Sequence, residues 1–314
     1  MTRTNYWILT FCFALSLSSC GGKGGTPTSS ADLDHPSFLW EVTKGDAQAW
    51  LFGTMHFSDP EVTHLGLEVH QVLDAADAIF TEVEETPTSG ALVSQAGAMP
   101  KGKSLASVVS PELLARLHSY LVSRKLPATS LDHLRPWMVG LQIGQLDAIP
   151  YMAHGVKLDV QLMHRAQQDG KEFGAIETIE EQLRALSFGS MEEQVHMLSI
   201  SLDKLIKEQA ENVNSVATLR KLYLAGNADA LWAFAMSETD LDDPIQNAWL
   251  NAILQERNTR MAQRIHARLL QHPDKATVFA FGTLHFVGPN SVGEHLRSLG
   301  YIVNRVEHIV PQEL

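Results

Sequence analysis

Apolar and polar positions along the chain divide it into strand-like ends and a helical middle. Residues 38–42 and 50–53 are short apolar runs on either side of Lys44-Gly45-Asp46, a pattern typical of two strands joined by a tight turn. Residues 78–84 (AIFTEVE) predict a buried strand that ends in carboxylates, and residues 277–281 and 301–306 predict two strands near the C-terminus.

The region between these strands shows mostly helical spacing of apolar residues. Helices are predicted at 61–76, 112–122, 131–148, 157–169, 179–186, 191–225, 228–236, 244–270 and 291–298, with one short strand near 173–176. Because strands gather at both ends of the chain, we expect the ends to share one sheet. The predicted fold class is α/β (or α+β), with a central mixed sheet built from N- and C-terminal halves that resemble each other and a large helical middle region.

The first 37 residues have a different pattern from the rest. Residues 1–19 combine a weakly positive start, a short apolar stretch and the small-residue sequence Leu17-Ser18-Ser19, which predicts a lipoprotein signal peptide. Cys20 would then be the lipidation site. Residues 20–37 are rich in Gly, Ser, Thr and Pro and predict a flexible tether, so residues 38–314 form the predicted single domain.

Composition narrows the chemistry of this domain. The only cysteines are Cys12 and Cys20, so a processed chain has no free thiol for a disulfide, a nucleophile or a metal ligand. The formal net charge of −12 argues against a nucleic-acid partner. No nucleotide is expected either: residues 97–104 (GAMPKGKS) fit a phosphate-loop pattern, but a polar loop precedes them and Pro100 interrupts them.

The most informative feature is an internal repeat. Residues 52–60 (FGTMHFSDP) and 281–289 (FGTLHFVGP) are identical at six of nine positions, and each follows an apolar strand. Side chains at such strand-to-helix corners reach the ligand crevice of α/β folds. We therefore predict that His56 and His285 lie together at one site, the alternative being two ordinary turn histidines in a duplicated unit.

Carboxylates at the end of the third predicted strand complete this site. Glu82 and Glu84 would share one face of a regular strand, and Glu82 is the preferred candidate because it comes first after the apolar run. Two neutral imidazoles, one carboxylate and open water positions suit a hydrolytic divalent metal such as Zn²⁺, Mn²⁺ or Co²⁺. Arg257, beside Asn258 on a predicted helix, either clamps a substrate or pairs with a surface acid such as Glu256 or Asp243.

The ordered set of short motifs resembles the TraB/GumN family, which includes Tiki-like metalloproteases and pheromone-shutdown proteins. The likeness runs over residues 38–306, and the motifs that carry it are Gly53–His56, Glu82, residues 102–105, Arg135-Pro136-Trp137, residues 155–159, Glu177-Thr178 with Gln182, Gly226 with Asp229, Glu256-Arg257-Asn258 with Met261, and Gly282–His285.

The resemblance implies a metal-dependent, hydrolase-like domain with two related halves. By that analogy His56, Glu82 and His285 ligate or flank the metal, and Arg257 lines the cleft, which makes these four the candidate catalytic residues. Glu84, Asp159, Glu177 and Asn258 are candidates for the polar groups around them, with Glu84 or Glu177 moving the proton.

The predicted function is an exported, lipid-anchored, metal-dependent hydrolase that is peptidase-like, with a peptide or protein as its substrate. Gly21 in place of an aspartate after Cys20 favours the outer membrane, with the domain facing the periplasm or the cell exterior. Two alternatives stay open: a non-catalytic protein that binds or sequesters a peptide or signal, and a haem- or iron-binding lipoprotein that uses the histidine pair.

Overall fold

A single mixed sheet organises the chain. The computed structural model describes residues 34–84, 86–152, 155–237 and 239–310. The six strands lie in the order β4-β3-β5-β2-β1-β6, and they are β1 (Phe38–Lys44), β2 (Ala47–Thr54), β3 (Ala78–Thr81), β4 (Glu172–Ala175), β5 (Thr277–Gly282) and β6 (Ile302–Arg305). The four strands from β4 to β2 are parallel, and β1 is antiparallel to both of its neighbours. The predicted mixed sheet is confirmed, and the helical middle region contributes its edge strand β4.

The strands that lead into the two motif copies, β2 and β5, are direct neighbours with a one-residue offset. The repeat aligns Gly53 with Gly282, but in the sheet Gly53 pairs with Phe281 and Thr54 pairs with Gly282. Because side chains alternate along a strand, an offset of one residue exchanges the two faces. Matching positions of the two copies therefore face opposite sides of the sheet.

Helices cover both faces of the sheet. Helices α13 (Glu256–Gln271) and α14 (Val292–Ser298) bury Met261 and Leu296 against Phe279 on one face. Helices α2 (Leu67–Ala75) and α7 (Leu158–Gln168) bury Val69 and Leu162 in the apolar cluster of the other face. Different helices thus cover the two faces of the sheet.

The remaining helices form a separate layer around a third apolar cluster. They are α1 (Pro60–Thr63), α3 (Pro87–Gly97), α4 (Pro111–Ser123), α5 (Pro136–Gly144), α6 (Ile149–Met152), α8 (Ile179–Leu186), α9 (Met191–Glu211), α10 (Ser215–Leu224), α11 (Ala228–Ser237) and α12 (Pro244–Leu250). This cluster also contains Met55 and Phe57 beside His56, and Leu284 and Val287 beside His285. The helical layer therefore packs directly against both motif loops, at the carboxyl end of the parallel strands.

Several predicted elements are shorter in the structure than the sequence pattern suggested. The predicted helix 61–76 is interrupted at Gly66, which is the N-cap of α2. The predicted helix 191–225 breaks at Asn212, which has a left-handed φ of 54° and ends α9. Helix 131–148 begins only at Pro136, since proline is best accommodated in the first helical turn.

The predicted helix 244–270 is continuous but not uniform. Residues Asn251–Gln255 form a π-helical turn between α12 and α13, and the backbone N–H of Glu256 donates to the carbonyl of Asn251, five residues earlier. Arg257 Nη1 donates to the carbonyl of Ile253 within this turn at 3.1 Å. Such wide turns insert one extra residue and change which side chains face a site.

The predicted signal peptide and most of the predicted tether, residues 1–33, lie outside the described residues. The last four tether residues are packed against the domain: His35 and Ser37 are buried, and Asp34 Oδ2 lies 3.0 Å from His308 Nε2. The described residues thus include four that lie before the predicted domain boundary. In the described part of the chain, no helix has the length and apolar character needed to cross a membrane.

Candidate functional site

The carboxyl ends of four parallel strands meet at one edge of the sheet, and a candidate residue follows each of them. His56 comes two residues after β2 and Glu82 directly after β3. Glu177 comes two residues after β4, and His285 ends a 3-10 turn, Thr283–His285, that follows β5. Ligand sites of open α/β sheets lie in the crevice at this edge. The structure thus brings together the residues that the repeat and the third strand pointed to.

The position of Gly282 shows how closely these groups converge. A Cβ atom added to Gly282 would lie 3.5 Å from Glu82 Oε2, 3.7 Å from His285 Cδ2 and 3.8 Å from His56 Nε2. The φ of Gly282 is −52°, which any residue adopts, so backbone conformation does not require glycine here. The missing side chain leaves room where both imidazoles and the carboxylate meet.

His285 is held in one tautomer by a neutral partner. Its Nδ1 donates to Asn258 Oδ1 at 2.6 Å, and Asn258 Nδ2 donates to the carbonyl of Asn290 at 2.9 Å, which fixes the orientation of the amide. The lone pair therefore lies on Nε2, 3.9 Å from Glu82 Oε2. Burial, aided by the charge of Arg257, lowers the pKa of His285 to about 3, so the ring is neutral at physiological pH.

His56 is held in the same tautomer by a charged partner. Its Nδ1 donates to Asp159 Oδ2, in the first turn of α7, at 3.3 Å. Its side chain is 19% exposed, whereas that of His285 is 4% exposed. Burial works to lower the pKa of His56, but the hydrogen bond to Asp159 and the charges of Asp159 and Glu82 outweigh it and raise this pKa above 6.5.

Glu82 is buried at the centre of the site and is fixed by three donors. Oε1 accepts from Arg257 Nη2 and from Gln182 Nε2 (2.6 Å), and Oε2 accepts from the backbone N–H of Gly282 (3.1 Å). Burial alone would raise the pKa of Glu82, but the positive charge of Arg257 and the two histidines lower it well below its usual range. The carboxylate is therefore ionised despite being only 3% exposed.

Arg257 is a buried cation and not the surface arginine that the sequence left open as one alternative; its contact with a substrate stays a prediction. It has no solvent exposure, and besides Glu82 it binds Glu177 Oε2 through Nε (2.9 Å) and Nη2 (2.7 Å). Arg260 Nη2 donates to the other oxygen of Glu177 at 3.0 Å. The partners of Arg257 thus include two buried acids that follow the strands, Glu82 and Glu177.

Among the outer candidates, Asp159, Glu177 and Asn258 all contact a central residue, and Glu84 does not. The strand prediction 78–84 is wrong at its end, because β3 stops at Thr81 and the alternation that would have aimed Glu84 at the site does not continue. Glu84 is exposed. On sequence grounds Gln182 is only part of a family motif and has no predicted role; the structure places it in the first turns of α8, after the capping residue Thr178.

The donor set has the chemistry of a metal site but not a closed ligand cluster. Both histidines donate from Nδ1 and keep Nε2 available, the arrangement that metal-binding histidines usually show. Among residues 34–84, 86–152, 155–237 and 239–310, however, no group of three or more His, Cys, Asp or Glu side chains could hold a metal as arranged. The residues thus fit a metal by donor type and tautomer, but as arranged in the described part of the chain they do not form a metal-binding group.

Comparison with known proteins adds the family. The chain is 27% identical to the Danio rerio protein named Metalloprotease TIKI1, over 92% of the chain and 66% of that relative, and 25% identical to Danio rerio Metalloprotease TIKI2, over 98% and 68%. It is also 24% identical to an uncharacterized Treponema pallidum (strain Nichols) protein, over 90% of the chain and 86% of that relative.

The match therefore spans about two thirds of the length of the two TIKI relatives. No solved structure matches the chain. The model of the TraB/PrgY/gumN family matches residues 38–305, which include every residue of the site described above. On this match, the chain belongs to the TraB/PrgY/gumN family.

Proposed function

We propose that this protein is a metal-dependent hydrolase that acts on peptides or proteins. The observation that carries the proposal is the pair of imidazoles from distant parts of the chain, each held through Nδ1 with Nε2 available beside an ionised, buried carboxylate. The names of the TIKI relatives support a peptidase-like hydrolase at the level of the family.

In this proposal His56, His285 and Glu82 hold a divalent metal, with Mn²⁺, Co²⁺ and Zn²⁺ as candidates. A metal bound there would polarise a carbonyl and lower the pKa of a water molecule. Asp159 and Asn258 keep both rings in the required tautomer. Arg257 keeps Glu82 ionised and fixed in place.

The substrate is proposed to approach from the side of His56. That ring is partly exposed, whereas His285, Glu82 and Arg257 are all buried. Glu177 is bonded to Arg257 and Arg260, and Glu84 is exposed, so neither position supports the proton-transfer role that we predicted for it.

We further propose that the chain is exported and anchored by a lipid on Cys20, with the domain facing the periplasm or the cell exterior. The sequence of residues 1–20 supports this proposal. Mass spectrometry of the membrane-extracted protein would detect the acylated N-terminal cysteine, and an intact residue 1 with an unmodified Cys20 thiol would contradict it.

The proposed function is tested by measuring the metal content and peptide hydrolysis of the detergent-extracted wild-type protein and of its variants. We expect one bound divalent metal per chain, hydrolysis that a chelator abolishes, and loss of both in His56→Ala and His285→Ala. His118→Ala is the matched control, because His118 pairs with Asp132 away from this site. Unchanged metal content in both site variants would reject the assignment.

The same measurements separate the two alternatives. A binding or sequestering protein would capture one peptide per chain without turnover, and a chelator would not release it. A haem-binding protein would show a strong visible absorption band after purification from haem-supplied cells.

A further inference from the structure

One helical hairpin contacts both histidine loops. Helices α10 (Ser215–Leu224) and α11 (Ala228–Ser237) are joined by a short turn at Gly226, which has a φ of +63°. A Cβ atom at Gly226 would lie 2.6 Å from Pro36 Cβ, so the turn is packed tightly against the start of the domain. We call these two helices and their turn the α10–α11 hairpin.

Helix α10 holds the loop that follows β2. Arg220 donates from Nη2 to Asp59 Oδ1 (2.7 Å) and from Nε to Asp59 Oδ2 (3.4 Å), and Asp59 lies three residues after His56. The Arg220 side chain is 16% exposed and that of Asp59 is 9% exposed, so this ion pair is largely shielded from water. On the same helix, Tyr223 donates its hydroxyl to the carbonyl of Gly53 at 3.1 Å.

Helix α11 holds the loop that follows β5 by a different means. Gly288, three residues after His285, has a φ of +73°. A Cβ atom there would lie 2.1 Å from Trp232 Cδ2 and 2.3 Å from Trp232 Cε2, so the indole lies directly against the glycine backbone. Asp59 and Gly288 occupy the same position in the two motif copies, and each is the point where the hairpin makes contact.

We propose that the α10–α11 hairpin sets the spacing between His56 and His285, with Arg220 and Trp232 as its positioning residues. Each contact fixes one loop three residues beyond its histidine, and the two contacts lie on helices joined by the short turn at Gly226, which packs against Pro36. Neither Arg220 nor Trp232 contacts an imidazole, so both act through the loops. The inference deepens the proposed function. It rests on that function only in the test that measures metal affinity.

Hydrogen–deuterium exchange of the full chain tests the contacts without any metal. In Trp232→Ala we expect amides of the loop after β5 to exchange about tenfold faster, while the loop after β2 changes less. In Arg220→Gln we expect the opposite pattern. The matched controls are Phe234→Ala, a partly buried aromatic on α11, and Lys221→Gln, an exposed cation on α10, and neither should change exchange in either loop.

Metal affinity tests the positioning role. In a Co²⁺ titration, Trp232→Ala and Arg220→Gln should each bind the metal on the order of tenfold more weakly than the wild-type protein. Trp232→Phe should recover part of this affinity, because it keeps a flat ring against Gly288. Thermal unfolding checks that each variant is folded. A folded Trp232→Ala protein with wild-type exchange in both loops would overturn the inference.

The exchange measurement and the Co²⁺ titration can contradict the two proposals independently of each other. Wild-type protein that binds no Co²⁺ would reject the proposed metal function and leave the exchange test intact. Faster loop exchange with wild-type Co²⁺ affinity would show that the contacts are structural only and would also overturn the positioning role.

Discussion

The two histidine loops have nearly the same sequence, but different surroundings give their rings different properties. His56 is partly exposed and bonded to a carboxylate on the α7 face of the sheet, whereas His285 is buried and bonded to an amide on the α13 face. The pKa of His56 is raised and that of His285 is lowered to about 3. The one-residue offset between β2 and β5 places the two copies against different helices, so a repeated motif supplies two unlike rings.

The largest expected effect comes from removing Arg257, which donates a hydrogen bond to Glu82 from α13, the helix that also carries Asn258, the partner of His285. Arg257→Met leaves Glu82 and Glu177 buried without their main positive partner. We expect the free energy of unfolding to fall by about 3–5 kcal/mol, as for other broken buried ion pairs. Urea denaturation measures this loss.

Arg268→Met is the control for Arg257→Met, because Arg268 lies on the same helix, α13, and pairs with the more exposed Glu172 of β4. It should lose much less stability, on the order of 1 kcal/mol or below. Equal losses in the two variants would contradict the central role of Arg257.

Substitution by alanine should affect stability at one motif glycine, Gly53, and metal binding at the other, Gly282. A Cβ at Gly53 would lie 2.9 Å from Phe38 Cβ and from Thr283 Oγ1, so Gly53→Ala should lower the free energy of unfolding by about 1–3 kcal/mol through overpacking. At Gly282 the added Cβ would make ordinary contacts with the site groups. Gly282→Ala should therefore keep stability but lower metal binding and activity, because a methyl group fills the shared space.

Thermal unfolding and metal titration of both variants distinguish a glycine that close packing requires, Gly53, from one that leaves space in the site, Gly282. A stable Gly282→Ala protein with wild-type metal affinity would show that this space is not part of the site. Loss of stability in Gly282→Ala but not in Gly53→Ala would reverse the comparison.

The two histidines should make opposite contributions to the pH dependence of stability. The pKa of His285 is lower in the folded state, so its contribution is present above pH 6.5 and is lost as pH falls from 6.5 toward 3. The pKa of His56 is higher in the folded state, so its contribution is present below pH 6.5 and is lost as pH rises through the folded value. Each contributes a slope of at most about 1.4 kcal/mol per pH unit.

Denaturation curves of the metal-free protein between pH 5 and 8 measure these slopes. His285→Gln should flatten the acid side of the profile and His56→Gln the alkaline side. Glu82 adds little to this comparison, because its lowered pKa matters only below its unfolded value of 4.5. Identical profiles in the two variants would contradict the assigned difference between the rings.

The smallest expected effect tests the cause of that difference. Asp159→Asn removes the negative charge beside His56, so the pKa of His56 should fall while that of His285 stays unchanged. Nuclear magnetic resonance titration of labelled histidines measures both values. A matching change at His285 would show that the two rings share one electrostatic environment.

Local sequence patterns predicted the strands of the sheet and three residues that the structure brings together beside Gly282. The turn at Gly45, the strands before each motif copy and the candidates His56, Glu82 and His285 all follow from periodicity, the repeat and the position of the carboxylates. These signals are local, because each depends on residues that are close in sequence.

What the sequence could not predict depends on contacts between distant residues. Three features depend on such contacts: the end of β3 at Thr81, the burial of Arg257 between Glu82 and Glu177, and the hydrogen bond from Gln182 to Glu82. The one-residue offset between β2 and β5 is equally invisible, since the repeat suggests a register that the sheet does not use.

The π-helical turn at Asn251–Gln255 makes the length of this segment critical. The residues before it pack Trp249 and Leu250 into the helical layer, and those after it pack Met261 and Ile265 onto the sheet. The turn accommodates one residue more than a regular α-helix, so a deletion that restores α-helical pitch would keep α12 and α13 in nearly the same phase, whereas a further insertion at α-helical pitch would rotate everything beyond it by about 100° relative to α12. A further insertion should therefore be tolerated in surface loops of this chain long before it is tolerated here, even where the added residue itself touches nothing in the site.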